Sequence, residues 1–327
     1  MTDVALLHAD GKLPNLALMK LSAYFRARGD RVALVRPGVS RSTLFGERPR
    51  CFGSSIFLFS DKARRLLDSE WGPITWGGTG VRVESSLAEV DASVDWEAVA
   101  PDYSLYPECD YSMGFTQRGC RLKCHFCVVP KKEGKPLSVR TIAQIWRGPG
   151  HPKKVNLLDN DFFGQPRESW QERIREIREG GFRVSLSQGI NVRMVDEESA
   201  AALASVEYRD GDFKERTLYT AWDNLGDEAI FKNGVATLKA AGIPPKHLRV
   251  YMLIGFAKDE TWDRIHYRFN EMVALGCEPY PMPFDQSRRD LKRFQRWAVT
   301  GLYRAIPFEK YDPHFKAATE HEEGLFA

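Results

Sequence analysis

Most of the chemistry this sequence can do is concentrated in residues 119–130, GCRLKCHFCVVP. Cys120, Cys124 and Cys127 fall within eight residues, with an aromatic side chain, Phe126, just before the last. Crowded thiols can staple a fold, close around zinc, or hold an iron–sulfur cluster. Six cysteines in 327 residues are too few for a disulfide scaffold. A structural zinc site takes four protein ligands, often as two CxxC or CxxC/HxxxH pairs. Here there is one CxxC, one cysteine four residues upstream and no second pair, and His125 lies between two ligands where it bends poorly onto the same ion. Three cysteines around a [4Fe–4S] cluster leave one iron without a protein ligand, an open position for a small molecule.

CxxxCxΦC, with Φ an aromatic residue, is the signature of the radical S-adenosylmethionine (radical SAM) superfamily. Cys120, Cys124, Phe126 and Cys127 match it, and the chain resembles that family over about residues 110–285. The resemblance implies that SAM binds the open iron and is reductively cleaved to methionine and a 5′-deoxyadenosyl radical. That radical takes a hydrogen from a substrate, in a dry cavity that holds the C–H close. It also implies a one-electron donor, a reductase of the flavodoxin or ferredoxin kind.

Further SAM contacts carry over by position. Asp159, Asn160 and Asp161 stand where many members have Gly-Gly-Glu, a departure that leaves open a plain strand-end loop capping the next helix. Gln188, Asn191 and Arg193 in SLSQGINVRM are similar to the Gln-Gly-(Leu/Ile)-(Asp/Asn)-x-Arg segment that lines the SAM or substrate region, and an arginine there can pair with a carboxylate. Thr220 and Asp223, at the end of LYTAWDN, occupy a place where members contact ribose or substrate. Phe126 completes the expected SAM-binding set.

These residues need a frame. Strands are expected at 4–7, 31–37, 54–60 and 74–81, with helices within 13–30 and over 61–71, which makes a small Rossmann-like α/β layer of residues 1–85. Asn15 is a suitable cap for the first helix, with Leu18, Leu21 and Phe25 as its apolar stripe. Residues 86–112, rich in proline, tyrosine and acids without periodicity, read as a linker. From 113 to 285, six strands are expected to alternate with helices: one just before Cys120, then 154–162, 182–190, 215–223, 247–256 and 276–284. That pattern fits a partial (β/α)6 TIM-like barrel, whose chemistry gathers at the carboxyl ends of its strands. Residues 286–327 form a helical extension with a polar tail.

The N-terminal layer looks like a reduced cobalamin-binding domain of the kind some radical SAM enzymes carry. The DxHxxG string of base-off cobalamin proteins is absent, so cobalamin is an open cofactor that nothing requires. Methylthiotransferases place three more cysteines in such a layer; here Cys51, Cys109 and Cys277 are scattered. Arg288, Arg289, Lys292, Arg293 and Arg296, interleaved with Phe294 and Trp297, offer either a nucleic-acid contact across 288–297 or a solvated helix face. A net charge of +3 argues against a bulk nucleic-acid coat and leaves a local patch open. No apolar run approaches the roughly 18 residues of a membrane span, and no secretory leader is visible, so a cytoplasmic protein with reduced thiols is expected. Three readings stand: a radical SAM enzyme acting on a macromolecule such as a nucleic acid or peptide, a cobalamin-dependent radical SAM methyltransferase, and a non-catalytic iron–sulfur or zinc protein.

Overall fold

The first strand, β1 (Asp3–His8), carries the apolar run Val4–Leu7, buried on both faces as a central parallel strand must be. In the computed structural model, which describes residues 2–11, 13–40, 44–45 and 48–312, it is followed by α1 (Leu16–Ala27). Asn15 caps α1 by accepting from the Leu18 amide (3.1 Å), and Leu18, Leu21 and Phe25 face inward as their spacing predicts. Next come β2 (Arg31–Val35), β3 (Arg50–Ser54), α2 (Asp61–Trp71) and β4 (Thr75–Gly77). All four strands are parallel, in the order β2-β1-β3-β4.

The third strand is displaced from its expected place at 54–60. The Asp10 carboxylate accepts from the Ile56 and Phe57 amides (2.6 and 3.2 Å) and from the Ser60 hydroxyl (2.7 Å). That turns the chain away from the sheet and leaves Ile56, Phe57, Leu58 and Phe59 exposed. The expected linker, 86–112, contributes Trp96, Leu105, Tyr106 and Cys109 to one apolar cluster with Val4, Leu6, Leu18 and Phe25. Met113 joins the same cluster from the second half of the chain.

That half begins with β5 (Ser112–Gly114) and the antiparallel pair β6 (Gln117–Arg118) and β7 (Leu137–Ser138), between which α3 (Val129–Lys132) intervenes. Then follow α4 (Ile142–Ile145), β8 (Lys154–Leu157), α5 (Arg167–Gly180), β9 (Arg183–Leu186), α6 (Glu197–Ala204) and β10 (Glu207–Tyr208). The alternation closes with β11 (Leu218–Ala221), α7 (Glu228–Ala240), β12 (Leu248–Ile254), α8 (Trp262–Ala274), β13 (Glu278–Pro283) and α9 (Arg289–Val299).

All six expected strands of this half exist, but as two parallel sheets, β10-β9-β8-β5 and β11-β12-β13. The division has a local cause. The unforeseen β10 pairs Glu207 with Arg183 and Tyr208 with Val184, taking the edge of β9 that β11 would need. Contact across the gap is made above it, where Ile190 donates its amide to the Tyr219 carbonyl (2.7 Å) and Thr220 Oγ1 donates to the Ile190 carbonyl (2.9 Å). Helices and both sheets share one apolar core, in which Val155, Leu157, Val184, Leu186, Val250 and Met252 meet residues such as Ile174, Leu203 and Phe269.

Among the described residues, no helix is long and apolar enough to cross a membrane. The terminal α9 buries Leu291, Phe294, Trp297 and Ala298. Arg293, expected on a cationic face, instead donates to the Phe308 and Tyr311 carbonyls (both 2.8 Å) with its guanidinium over the Phe308 ring. Arg288 is paired with Asp290 (2.8 Å). Only Arg289, Lys292 and Arg296 of that set are exposed without such anchoring, so the expected five-residue surface is smaller than its sequence suggests. Residues 313–327 of the expected extension lie outside the described residues.

Candidate functional site

The cysteine loop lies between β6 and α3, at the carboxyl ends of the parallel strands. Its entry requires Gly119: φ is +79°, and a Cβ there would collide with the Lys135 carbonyl. Cys120 donates its amide to the Gly134 carbonyl (3.2 Å) and Cys127 donates to the Cys124 carbonyl (3.0 Å), so the loop is internally bonded. All three thiols are free and half-buried. Burial pushes the Cys120 and Cys127 thiols above their ordinary range. Among the described residues, no three His, Cys, Asp or Glu side chains are gathered closely enough to hold a metal ion. The donor chemistry nevertheless suits a thiolate-ligated cluster, with three free cysteines on one loop.

The DND triplet directly follows β8, at the strand end where the sequence reading put it. Each of its residues grips the cysteine loop or its stem. Asp159 is buried and accepts from the Thr116 amide (2.7 Å) and the Thr116 hydroxyl; burial pushes its carboxyl up to about 7. Asn160 donates to Glu133 Oε2 (2.8 Å), and the same carboxylate oxygen accepts from the Gly119 amide (3.0 Å). Asp161 receives the Arg121 guanidinium in a fork (2.8 and 2.9 Å) and the Arg121 amide (3.0 Å). Gly164 makes room for that fork, because a Cβ there would strike the Asp161 carboxylate. Asp159 therefore holds the stem of the loop, and Asn160 reaches it through Glu133.

A cavity of about 330 Å³ opens beside the loop. Cys124 and Phe126 form one side of it, and Arg193 and Asp223 lie on its wall. Arg193 bonds Asp227 (3.0 Å), touches Asn191 Oδ1 (3.4 Å) and reaches the Cys124 sulfur at 3.8 Å. Asp223 accepts from the Leu253 amide (2.8 Å), and burial raises its carboxyl above the usual range. Phe126 meets Phe256 edge-on at 5.6 Å, and Phe256 meets Phe284 at 4.9 Å, an apolar rim around a charged interior. Of the remaining expected contacts, Gln188 is exposed on the strand-end loop. Thr220 is buried, with its hydroxyl committed to Ile190, and is a structural tie between the sheets. The Asn191 amide nitrogen is buried without a partner.

One wall residue escaped the sequence reading. Arg268, on α8, is 1% exposed; it donates to the Trp222, Asp223 and Leu253 carbonyls (each 3.0 Å) and pairs with Glu260, which also accepts from the Gly255 amide. The available signal was its register: Arg268 falls on the stripe of Ile265, Phe269 and Met272, where a charge is out of place unless something inside receives it.

His8, the histidine of the N-terminal layer, is buried against the Tyr106 hydroxyl (3.1 Å), and burial lowers its pKa. Cys51, Cys109 and Cys277 sit in three separate apolar clusters. Compared with known proteins, this chain matches no family model, no curated protein and no solved structure.

Proposed function

We propose that this chain is a radical SAM enzyme. The observation that carries the reading is a CxxxCxΦC loop clamped at the carboxyl ends of parallel strands, with Cys124 and Phe126 opening onto a cavity that also presents Arg193 and Asp223. In this reading Cys120, Cys124 and Cys127 hold a [4Fe–4S] cluster. When bound, that group supplies the electron for reductive cleavage of SAM. The chain's own residues do the rest. Arg193 offers a guanidinium to the methionyl carboxylate, and Asp223 an acceptor to the amino group or ribose. Phe126 and Phe256 give the cofactor an apolar surface and narrow the path for water. Asp161 and Arg121 hold the cysteine loop beside the cavity.

The two sheets are then one (β/α)6 half-barrel, interrupted where β10 displaces β11. A protein one-electron donor belongs to the reaction, and the substrate presents a C–H bond to the same cavity. Anaerobic reconstitution with iron and sulfide tests the reading. The expected product is a brown protein with about four irons per chain, forming 5′-deoxyadenosine from SAM and dithionite, with both lost in Cys124→Ala. Zinc filling the site with no 5′-deoxyadenosine formed would refute it.

A further inference from the structure

Beneath the strand ends, the face of the sheets turned away from the core carries a row of polar side chains that the proposed cofactors do not use. Strand alternation sends Val155, Leu157, Val184, Leu186, Val250 and Met252 into the helix-packed core, so Asn156, Ser185 and Tyr251 point the opposite way. The two sheets meet on that side, where Tyr251 donates its hydroxyl to the Ser187 carbonyl (3.2 Å). Asn156 and Ser185 are partners in the β8–β9 register, at 8% and 0% exposure. Neither Asn156 Oδ1 nor Ser185 Oγ has a hydrogen-bond partner.

Buried polar atoms are almost always paired, so two adjacent orphans on neighbouring strands call for an explanation. Apolar residues would fill both positions without leaving a bare oxygen. The same face of the other sheet is aromatic: Tyr219 stacks on Tyr251 (5.6 Å), which meets Tyr280 edge-on (5.7 Å). Each orphan lies one residue before the end of its strand, directly below the loops that support and flank the cysteine motif.

We infer that Asn156 and Ser185 are a substrate-reading pair. They receive a small polar group, with adjacent hydroxyl, amino or amide functions, on a molecule flat enough to lie against Tyr251. A buried oxygen without a partner rejects a ligand that cannot bond it, which gives selectivity. The inference deepens the proposed function and rests on it for the reaction, but not for binding.

The experiment uses iron-free full-length protein, so a failure of the cluster reading leaves its outcome intact. Thermal midpoints are measured for wild type, Ser185→Ala and Asn156→Leu, with and without the small-molecule filtrate of a cell lysate as probe. Without filtrate, Ser185→Ala is expected to melt at or above wild type, because it removes an unpaired group. With filtrate, the wild-type midpoint rises, and the amount needed for half the rise grows about tenfold or more in both variants. A lower midpoint for Ser185→Ala without filtrate means the row serves folding, through a buried water, and overturns the inference. A wild type that no filtrate shifts, or a shift that survives both substitutions, overturns it equally.

Discussion

Two strand ends of this molecule carry the same ingredients and use them differently. After β8, Asp161 pairs with Arg121 and burial raises the Asp159 carboxyl. After β11 and β12, Glu260 pairs with Arg268 and burial raises the Asp223 carboxyl. At the first, the Asp159 and Asp161 carboxylates are committed to the loop and its stem: the Thr116 amide and hydroxyl, the Arg121 amide and the Arg121 guanidinium. At the second, Asp223 takes one backbone amide and still lies on the cavity wall, as does Arg193. An acid at a strand end is available to a ligand only when the protein has not already supplied its donors. That separates a clamp from a binding wall where residue type does not.

The comparison is broken most forcefully at the second strand end. Arg268→Leu leaves Glu260 buried without its cation and removes the tie to three carbonyls. Losing one partner of a buried pair costs about 3–5 kcal/mol, and chemical denaturation should show a loss of that size. A loss under about 1 kcal/mol, the range of an exposed ion pair, would mean that this wall is not held from behind. At the clamp, Asp161→Ala is expected to cost somewhat less, about 2–4 kcal/mol, because Arg121 keeps a path to water. Its distinguishing effect is local: iron uptake on reconstitution falls while α5 and the sheets stay folded by circular dichroism. Full iron uptake would show that the loop does not depend on the clamp.

These side-chain pairings explain what was and was not legible beforehand. Local signals read well: α1 with its Asn15 cap, α2 over its full length, and the long helices α5 and α7 follow from periodicity and capping. The cysteine spacing located the loop. What failed depends on contacts distant in sequence. The IFLF run looks like a strand until Asp10, some 46 residues earlier, takes its amides. The true β3 holds Arg50, Cys51 and Gly53, which no alternation marks. What the DND triplet holds was likewise hidden, because its partners, Thr116, Arg121 and Glu133, are 27 to 43 residues away. The break between the sheets comes from a two-residue strand too short to leave a pattern.

Asp159 sharpens the comparison through pH. Its folded-state value of about 7 lies above the ordinary 3.8. Between those two values the folded protein keeps a proton that the unfolded chain releases. Stability therefore falls as pH rises from about 4 to about 7. Asp159→Asn removes this dependence, so the difference between the two proteins should change by about 3 kcal/mol across that window. Urea melts at both ends of the window measure it, and parallel curves would show that the carboxyl is ionised throughout.

The smallest effect on stability should come from the wall. Arg193 and Asp227 form a partly exposed pair at 3.0 Å, so Arg193→Gln is expected to change stability by less than about 1 kcal/mol. If the cavity receives a carboxylate, the same substitution weakens SAM binding about tenfold, as losing a charge-assisted contact should. Equilibrium dialysis with labelled SAM on reconstituted protein separates the two effects. A large stability loss with unchanged SAM affinity would make Arg193 a second clamp and erase the distinction between the strand ends. A small stability loss with weakened affinity leaves Arg193 held loosely enough by Asp227 to exchange that partner for a ligand, as the carboxylates of the clamp cannot.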